Sequence, residues 1–311
     1  MTFDLPTYRG FIAAKGKAAS GRGFDAHGSW PGLFEHQRRT LQFSCETGRT
    51  AAFLDTGLGK SRVEAAFADE ARRKTNKPSL ILTPLAVARQ MQRECEAVGV
   101  EARVIREDAE VWSGVNIANY ERLGKLDVSR FGGVVLDESG ILKNFSGQTK
   151  TALVRAFGDT PYRLAATATP APNDHMELGT HSEFLGYLGS MEMLCRWFIN
   201  DAATASQDWR LKGHAIADFW SWVASWARAA SLPSDLGGDD TGYILPPLRY
   251  HVHGVAPDLS EDTGGLLFRI PDQSATSIHK EKRLTLDDRV ARAAEIANAA
   301  AGAVIVWCET N

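Results

Sequence analysis

Phe53-Leu54-Asp55-Thr56-Gly57-Leu58-Gly59-Lys60-Ser61 is an apolar run that ends in small residues and then in Gly-Lys-Ser. Each residue type there has a physical task. Gly57 and Gly59 permit a tight turn whose backbone N–H groups converge on an anion. Lys60 adds a mobile positive charge suited to β- and γ-phosphates, and Ser61 offers a hydroxyl to Mg²⁺. Downstream, Val134-Val135-Leu136-Asp137-Glu138 is a second apolar strand closing on paired carboxylates. One such acid can hold a metal while the other orients an attacking water. Together the segments point to ATP and Mg²⁺. Lys60, Asp137 and Glu138 are the expected catalytic set, Thr56, Gly57, Leu58, Gly59, Lys60 and Ser61 the nucleotide loop, and Ser61 and Asp137 the metal ligands.

A chain of 311 residues with 44% hydrophobic residues suits about two soluble domains. The formal net charge of -3 argues against a polycation that coats nucleic acid, while a local basic groove stays open. Cys45, Cys95, Cys195 and Cys308 are too scattered for a zinc site or a disulfide framework. No run approaches the roughly 20 apolar residues of a membrane span. A cytoplasmic protein without a membrane partner is expected.

Ala51 to Leu54, Leu80 to Thr83, Val115 to Ala118, Val134 to Asp137 and Leu164 to Thr167 read as short buried strands, with helices such as Arg62 to Lys74 and Ala86 to Val98 between them. This alternation implies a mostly parallel sheet covered on both faces, with ligands beyond the carboxyl ends of its strands. The expected organisation is a loosely ordered or partly helical arm at 1–30, a nucleotide-binding domain at 31–175, a helical aromatic region at 176–235, a connector at 236–285 and a further α/β beginning at 286–311. In the aromatic region Phe219, Trp222, Val223 and Trp226 share one helical face, which favours a packed core over a base-stacking platform. Arg249 to Val255 alternates like a strand. Asp287 to Ala301 reads as an amphipathic helix, and Ala303 to Cys308 as a buried strand, after which the second domain looks cut off.

The Asp55-to-Ser61 wording resembles motif I of superfamily-two helicases, DEAD/DEAH-like in the broad sense and of the Snf type in particular. It departs from the broad Walker pattern in having Leu54 where a glycine is expected. Other segments follow in the family's order. Leu33-Phe34-Glu35-His36-Gln37 resembles the segment in which a glutamine reads adenine, a task that suits an amide able to donate and accept in one plane. Leu82-Thr83-Pro84 resembles motif Ia, which touches nucleic-acid backbone. Asp137-Glu138-Ser139-Gly140 stands at the DExx box, with Gly140 as an unusual fourth residue. Thr167-Ala168-Thr169-Pro170 resembles motif III, which couples the nucleotide site to the nucleic-acid groove. Ser234-Asp235-Leu236-Gly237 and Leu245-Pro246-Pro247-Leu248 resemble DNA helicases of tailed phages.

The resemblance implies a RecA-like, doubly wound P-loop fold with a helical insertion and an incomplete second RecA-like domain. It implies an ATP-dependent DNA helicase or translocase, with duplex DNA and phage or host replication and recombination proteins as partners. Gln37 would bind the nucleotide, and Thr83, Pro84, Thr167 and Thr169 would contact nucleic acid or couple it to ATP. Members of the family continue into a second domain that carries an arginine finger, so turnover by these 311 residues alone is expected to be weak. Two other readings stay open: a non-catalytic ATP- and nucleic-acid-binding remnant, and an RNA helicase.

Overall fold

Aliphatic runs bounded by Gly, Pro or Asn favour buried strands, and apolar residues spaced by three and four favour helices. The computed structural model describes residues 23–143, 147–200, 209–255, 282–283 and 285–307. It divides into two units, Met1–Leu245 and Pro246–Asn311. The first unit runs α1 (Glu35–Thr47), β1 (Arg49–Leu54), α2 (Lys60–Thr75), β2 (Ser79–Thr83), α3 (Ala88–Ala97), β3 (Ala102–Val104), β4 (Val115–Asn119), β5 (Gly133–Leu136), α4 (Gln148–Ala156) and β6 (Tyr162–Ala166). It continues through α5 (Leu178–Leu185), α6 (Ser190–Trp197), β7 (Phe198–Asn200), β8 (Trp209–Leu211), α7 (Ile216–Trp226) and β9 (Ala227–Ala230). The strands form a seven-stranded sheet in the order β3-β4-β2-β5-β6-β1-β9, with every neighbouring pair parallel. Among the described residues β7 and β8 stand apart, as an antiparallel pair.

Side chains alternate along a strand, so a sheet covered on both faces buries two cores. Leu80, Leu82, Val134, Leu136 and Ala165 join one core with Phe157, Phe184, Trp197, Phe219 and Trp226. Ile81, Val135, Leu164 and Ala166 join the other with Leu41 of α1, Val63 and Phe67 of α2, and Met91 of α3. The five expected strands form with small changes at their ends. β3, β7, β8 and β9 are additions, the last three within the region expected to be helical.

Ala227-Arg228-Ala229-Ala230 favours helix by local propensity. The structure instead turns Ala227 to extended backbone (φ -128°, ψ 151°) and pairs the segment with Ala51–Leu54. The buried Thr50 hydroxyl donates to the Trp226 carbonyl at 2.9 Å, which satisfies an acceptor at the end of α7. Pairing with β1 supplies the backbone hydrogen bonds that helix would otherwise give, so tertiary context overrides propensity. The aromatic helix thereby becomes a cover for the sheet. Phe219 and Trp226 are fully buried, and Trp222 stacks on Trp197 with ring centroids 4.5 Å apart.

In the second unit, α8 (Leu286–Ala299) forms close to the expected helix. The expected strands at 249–255 and from Ala303 do not form: the described residues there are unpaired, and Val252 and Trp307 are 95% and 90% exposed. Apolar alternation alone makes no strand without a hydrogen-bonded neighbour, and among the described residues none pairs with either segment. Residues 1–22 of the expected arm and Cys308 lie outside the described residues.

Truncating Trp226 tests the packing of this cover. Trp226→Ala should lower the unfolding free energy by about 3–5 kcal/mol in a denaturant titration; a loss below about 1 kcal/mol would mean the ring is not core.

Candidate functional site

The carboxyl end of β1 feeds the glycine loop, and the loop feeds α2. Asp55 N donates to Ala230 O at 2.9 Å, anchoring the loop's start to the edge strand. Gly57 and Gly59 have φ of 89° and 74°, the left-handed region where a side chain is strained. A Cβ at Gly57 would meet nothing within 4 Å, so the turn opens on free space. At Gly59 it would come within 2.2 Å of Gln37 Nε2. Gln37 is itself buried and committed: its Nε2 donates to Leu58 O at 3.0 Å, and its Oε1 accepts from Phe34 N at 2.9 Å. It therefore clamps the loop from beneath.

Lys60 Nζ donates to the carbonyls of Leu54 (2.9 Å) and Asp55 (3.4 Å), folding back over its own loop. No anionic partner holds it among the described residues, so its charge is free to move to a phosphate. Ser61 is half-buried in the first turn of α2, and its hydroxyl makes no hydrogen bond among the described residues. Thr56 is exposed at the loop tip and donates through both N and Oγ1 to Asp55 Oδ1. The unpaired N–H groups and positive end of α2 add to the attraction for an anion.

Asp137 and Glu138 leave the carboxyl end of β5, with β6 lying between β5 and β1. Asp137 is buried; its N donates to Leu82 O at 2.9 Å, and its carbonyl accepts from Tyr120 Oη at 2.6 Å. Burial, and then the neighbouring Glu138 charge, push its pKa up to about 6, against a downward pull from Lys60. Glu138 has φ 51°, a conformation that costs an L-residue about 1–2 kcal/mol. Thr167, at the end of β6, brings Oγ1 to 3.5 Å from Glu138 Oε2 and accepts from Thr169 N at 3.2 Å. Lys60, Asp137, Glu138 and Thr167 thus share one end of the sheet, and Thr169 is tied to them through Thr167.

Glu64 is an acid the sequence reading overlooked. It lies one helical turn beyond Lys60, fully buried, and neither carboxylate oxygen has a hydrogen-bond partner among the described residues. Burial raises its pKa well above the ordinary carboxylate range; Asp137 and Glu138 push it the same way, and Lys60 opposes them. The signal was its i,i+4 spacing from Lys60 on a helix face otherwise carrying Val63 and Phe67.

Buried Asp137, exposed Glu138 and orphaned Glu64, with Lys60 opposing the rise of both buried acids, make a carboxylate-rich donor set. That fits a divalent cation bound together with a nucleotide. Among the described residues no three His, Cys, Asp or Glu side chains form a metal cage. Mg²⁺ suits such a place, because it typically takes one or two carboxylates plus phosphate oxygens and keeps several waters.

Thr83 and Pro84 fall elsewhere on the same edge. Thr83 is buried and donates to Pro84 O, which also accepts from Asn119 Nδ2 at 3.1 Å. Asn119 lines a cavity of about 820 Å³ with Leu85, Arg89, Arg103, Arg106 and Arg122. Arg103 stacks over Trp112 at 4.1 Å and pairs with Glu101 at 3.1 Å. Arg89 and Arg122 have no ion pair or hydrogen bond among the described residues. These arginines were also missed; they gather only because β2, β3 and β4 end side by side.

No protein-family model matches the chain, and no curated protein matches it. Solved structures do. A Sulfolobus solfataricus SWI2/SNF2 ATPase core in complex with dsDNA matches at 18% identity and a TM-score of 0.54, over 67% of this chain and 46% of that one. The Sulfolobus solfataricus SWI2/SNF2 ATPase core domain matches at 18% identity and a TM-score of 0.50, over 68% and 48%. The chain spans about half the length of the solved chains it matches. The likeness is one of fold: a RecA-like, doubly wound α/β sheet. Among the described residues no helix is long and apolar enough to cross a membrane.

Asp137 binds its proton more tightly folded than unfolded. Its contribution to the stability of the ligand-free chain is therefore fully present below about pH 4 and lost as pH rises through about 6. Asp137→Asn should melt like wild type at pH 4 and be about 1–3 kcal/mol more stable at pH 8. Identical denaturation curves at both pH values would contradict this.

Proposed function

We propose that this chain is the first motor domain of an ATP-dependent DNA helicase or translocase of the Snf type, working in the cytoplasm. One observation carries the reading: the Lys60 loop and the Asp137-Glu138 pair leave the same end of one parallel sheet, with an arginine-lined cavity further along that edge. ATP would lie with its phosphates over Gly57 to Ser61 and its adenine toward the Phe34–Gln37 end of α1. Lys60 would exchange its two carbonyl partners for β- and γ-phosphate oxygens. Ser61 and Asp137 would hold Mg²⁺, which supplies charge neutralisation at the transferring phosphoryl group. Glu138 would orient the water in line with the γ-phosphate. Thr167 and Thr169 would sense that site from the β6 loop.

Arg89 and Arg122, with Arg106 beside them, would take backbone phosphates of DNA, next to Thr83 and Pro84. Phosphate contacts of this kind position the nucleic acid without reading its sequence. The arginines support a nucleic-acid partner, and the Snf-type wording of the loop favours duplex DNA over RNA.

ATP binding and hydrolysis by the purified chain, with and without duplex DNA, test the reading. Lys60→Ala should weaken ATP binding at least about tenfold and remove hydrolysis. Nucleotide binding unchanged by Lys60→Ala would refute the site, while binding without any turnover would favour the non-catalytic alternative. Replacing Arg89 and Arg122 by Ala should weaken binding to all duplex sequences alike. It should also reduce the salt slope by about 2, since each phosphate neutralised by a side chain adds about 0.9. An unchanged slope, or tighter binding to RNA, would move the partner elsewhere.

A further inference from the structure

Among the described residues two non-glycines have positive φ, Asn76 just past α2 and Glu138. Asn tolerates this backbone readily; a glutamate keeps it only where its neighbours over-determine the turn. Before Glu138, the Tyr120 hydroxyl and the Leu82 carbonyl hold Asp137 by its O and N. Ile141 N donates to Glu138 O at 3.2 Å. After Glu138, Ser139 Oγ lies 3.1 Å from His181 Nε2, and both residues are fully buried. Neither Ser139 nor His181 has a part in the nucleotide chemistry described above.

His181 stands on α5, which follows the Thr167-to-Pro172 loop. Its ring meets Phe53 of β1 edge-on, with centroids 5.3 Å apart. Burial pushes its pKa down to about 4, against the pull of the Glu177 carbonyl. At neutral pH the ring is uncharged and acts as a fixed hydrogen-bond partner. Nδ1 makes no well-formed hydrogen bond among the described residues, so Ser139 supplies the ring's one good hydrogen bond.

We propose that His181 is a positioning residue for ATP hydrolysis: through Ser139 it fixes the left-handed turn at Glu138 and so aims the carboxylate that orients water. The inference rests on the hydrolase reading above. A histidine that merely filled the core would affect folding and leave the chemical step alone.

The test is single-turnover hydrolysis of labelled ATP with the full chain in excess, together with ATP affinity. It compares wild type with Ser139→Ala, His181→Ala, His181→Gln, the Ser139→Ala/His181→Ala double variant and Lys60→Ala. Ser139→Ala and His181→Ala should each slow hydrolysis about tenfold while ATP affinity stays within about twofold. The double variant should be no slower than either single one, because the same hydrogen bond is broken in all three. His181→Gln, whose amide can reach the place of Nε2, should recover most of the rate. If His181→Ala fails to fold, Ser139→Ala and His181→Gln carry the comparison. Ser139→Ala at the wild-type rate, losses that multiply in the double variant, or affinity falling in step with rate would overturn the proposal. Wild type and Lys60→Ala hydrolysing equally, or not at all, would instead sink the hydrolase reading and the inference with it.

Discussion

Parallel pairing of β5, β6 and β1 is the constraint on which the site depends. Parallel strands release their loops at a common end, so a loop after β1 and a turn after β5 must face the same side of the sheet. With only β6 between them, Lys60 and Asp137 come near enough for the charge of Lys60 to pull on the Asp137 carboxyl. β6 adds Thr167 in the gap, and its own loop leads on to the helix that bears His181. The glycine loop and the acid pair are far apart in sequence; the sheet makes them one site.

Electrostatics gives that site its character. Asp137, Glu138 and Glu64 crowd one region, and the two buried acids respond with raised pKa values that Lys60 only partly opposes. Such a set is costly to keep empty. The glycine loop is meanwhile held ready by hydrogen bonds to its carbonyls, from the Gln37 amide beneath it and from the Lys60 ammonium. Local stability is thus traded for a place that favours a metal and a polyphosphate together.

The central strands were legible because they are buried on both faces and bounded by turn residues. Runs such as Leu80 to Thr83 leave little else to choose. β3, with two of its three residues exposed, and the alanine-rich β9 carry no such signature and exist because a neighbouring strand pairs with them. The same gap explains the site. Gly-Lys-Ser and Asp-Glu are local patterns visible in a line of text. Glu64, Tyr120 and His181 matter through what the fold brings to them, and Arg89, Arg103, Arg106 and Arg122 cluster only once β2, β3 and β4 lie in order. The strands read near 252 and 305 failed for the converse reason: their pattern had no partner among the described residues.

The most direct measurement of the central claim is water-proton relaxation with Mn²⁺ in place of Mg²⁺ and a non-hydrolysable ATP analogue. If Lys60 and Asp137 border one metal–nucleotide pocket, the relaxation enhancement of a protein-bound ion appears only when nucleotide is present, and disappears in both Lys60→Ala and Asp137→Ala. Enhancement that develops equally without nucleotide, or that survives loss of either side chain, would place metal and nucleotide in separate sites and contradict the account.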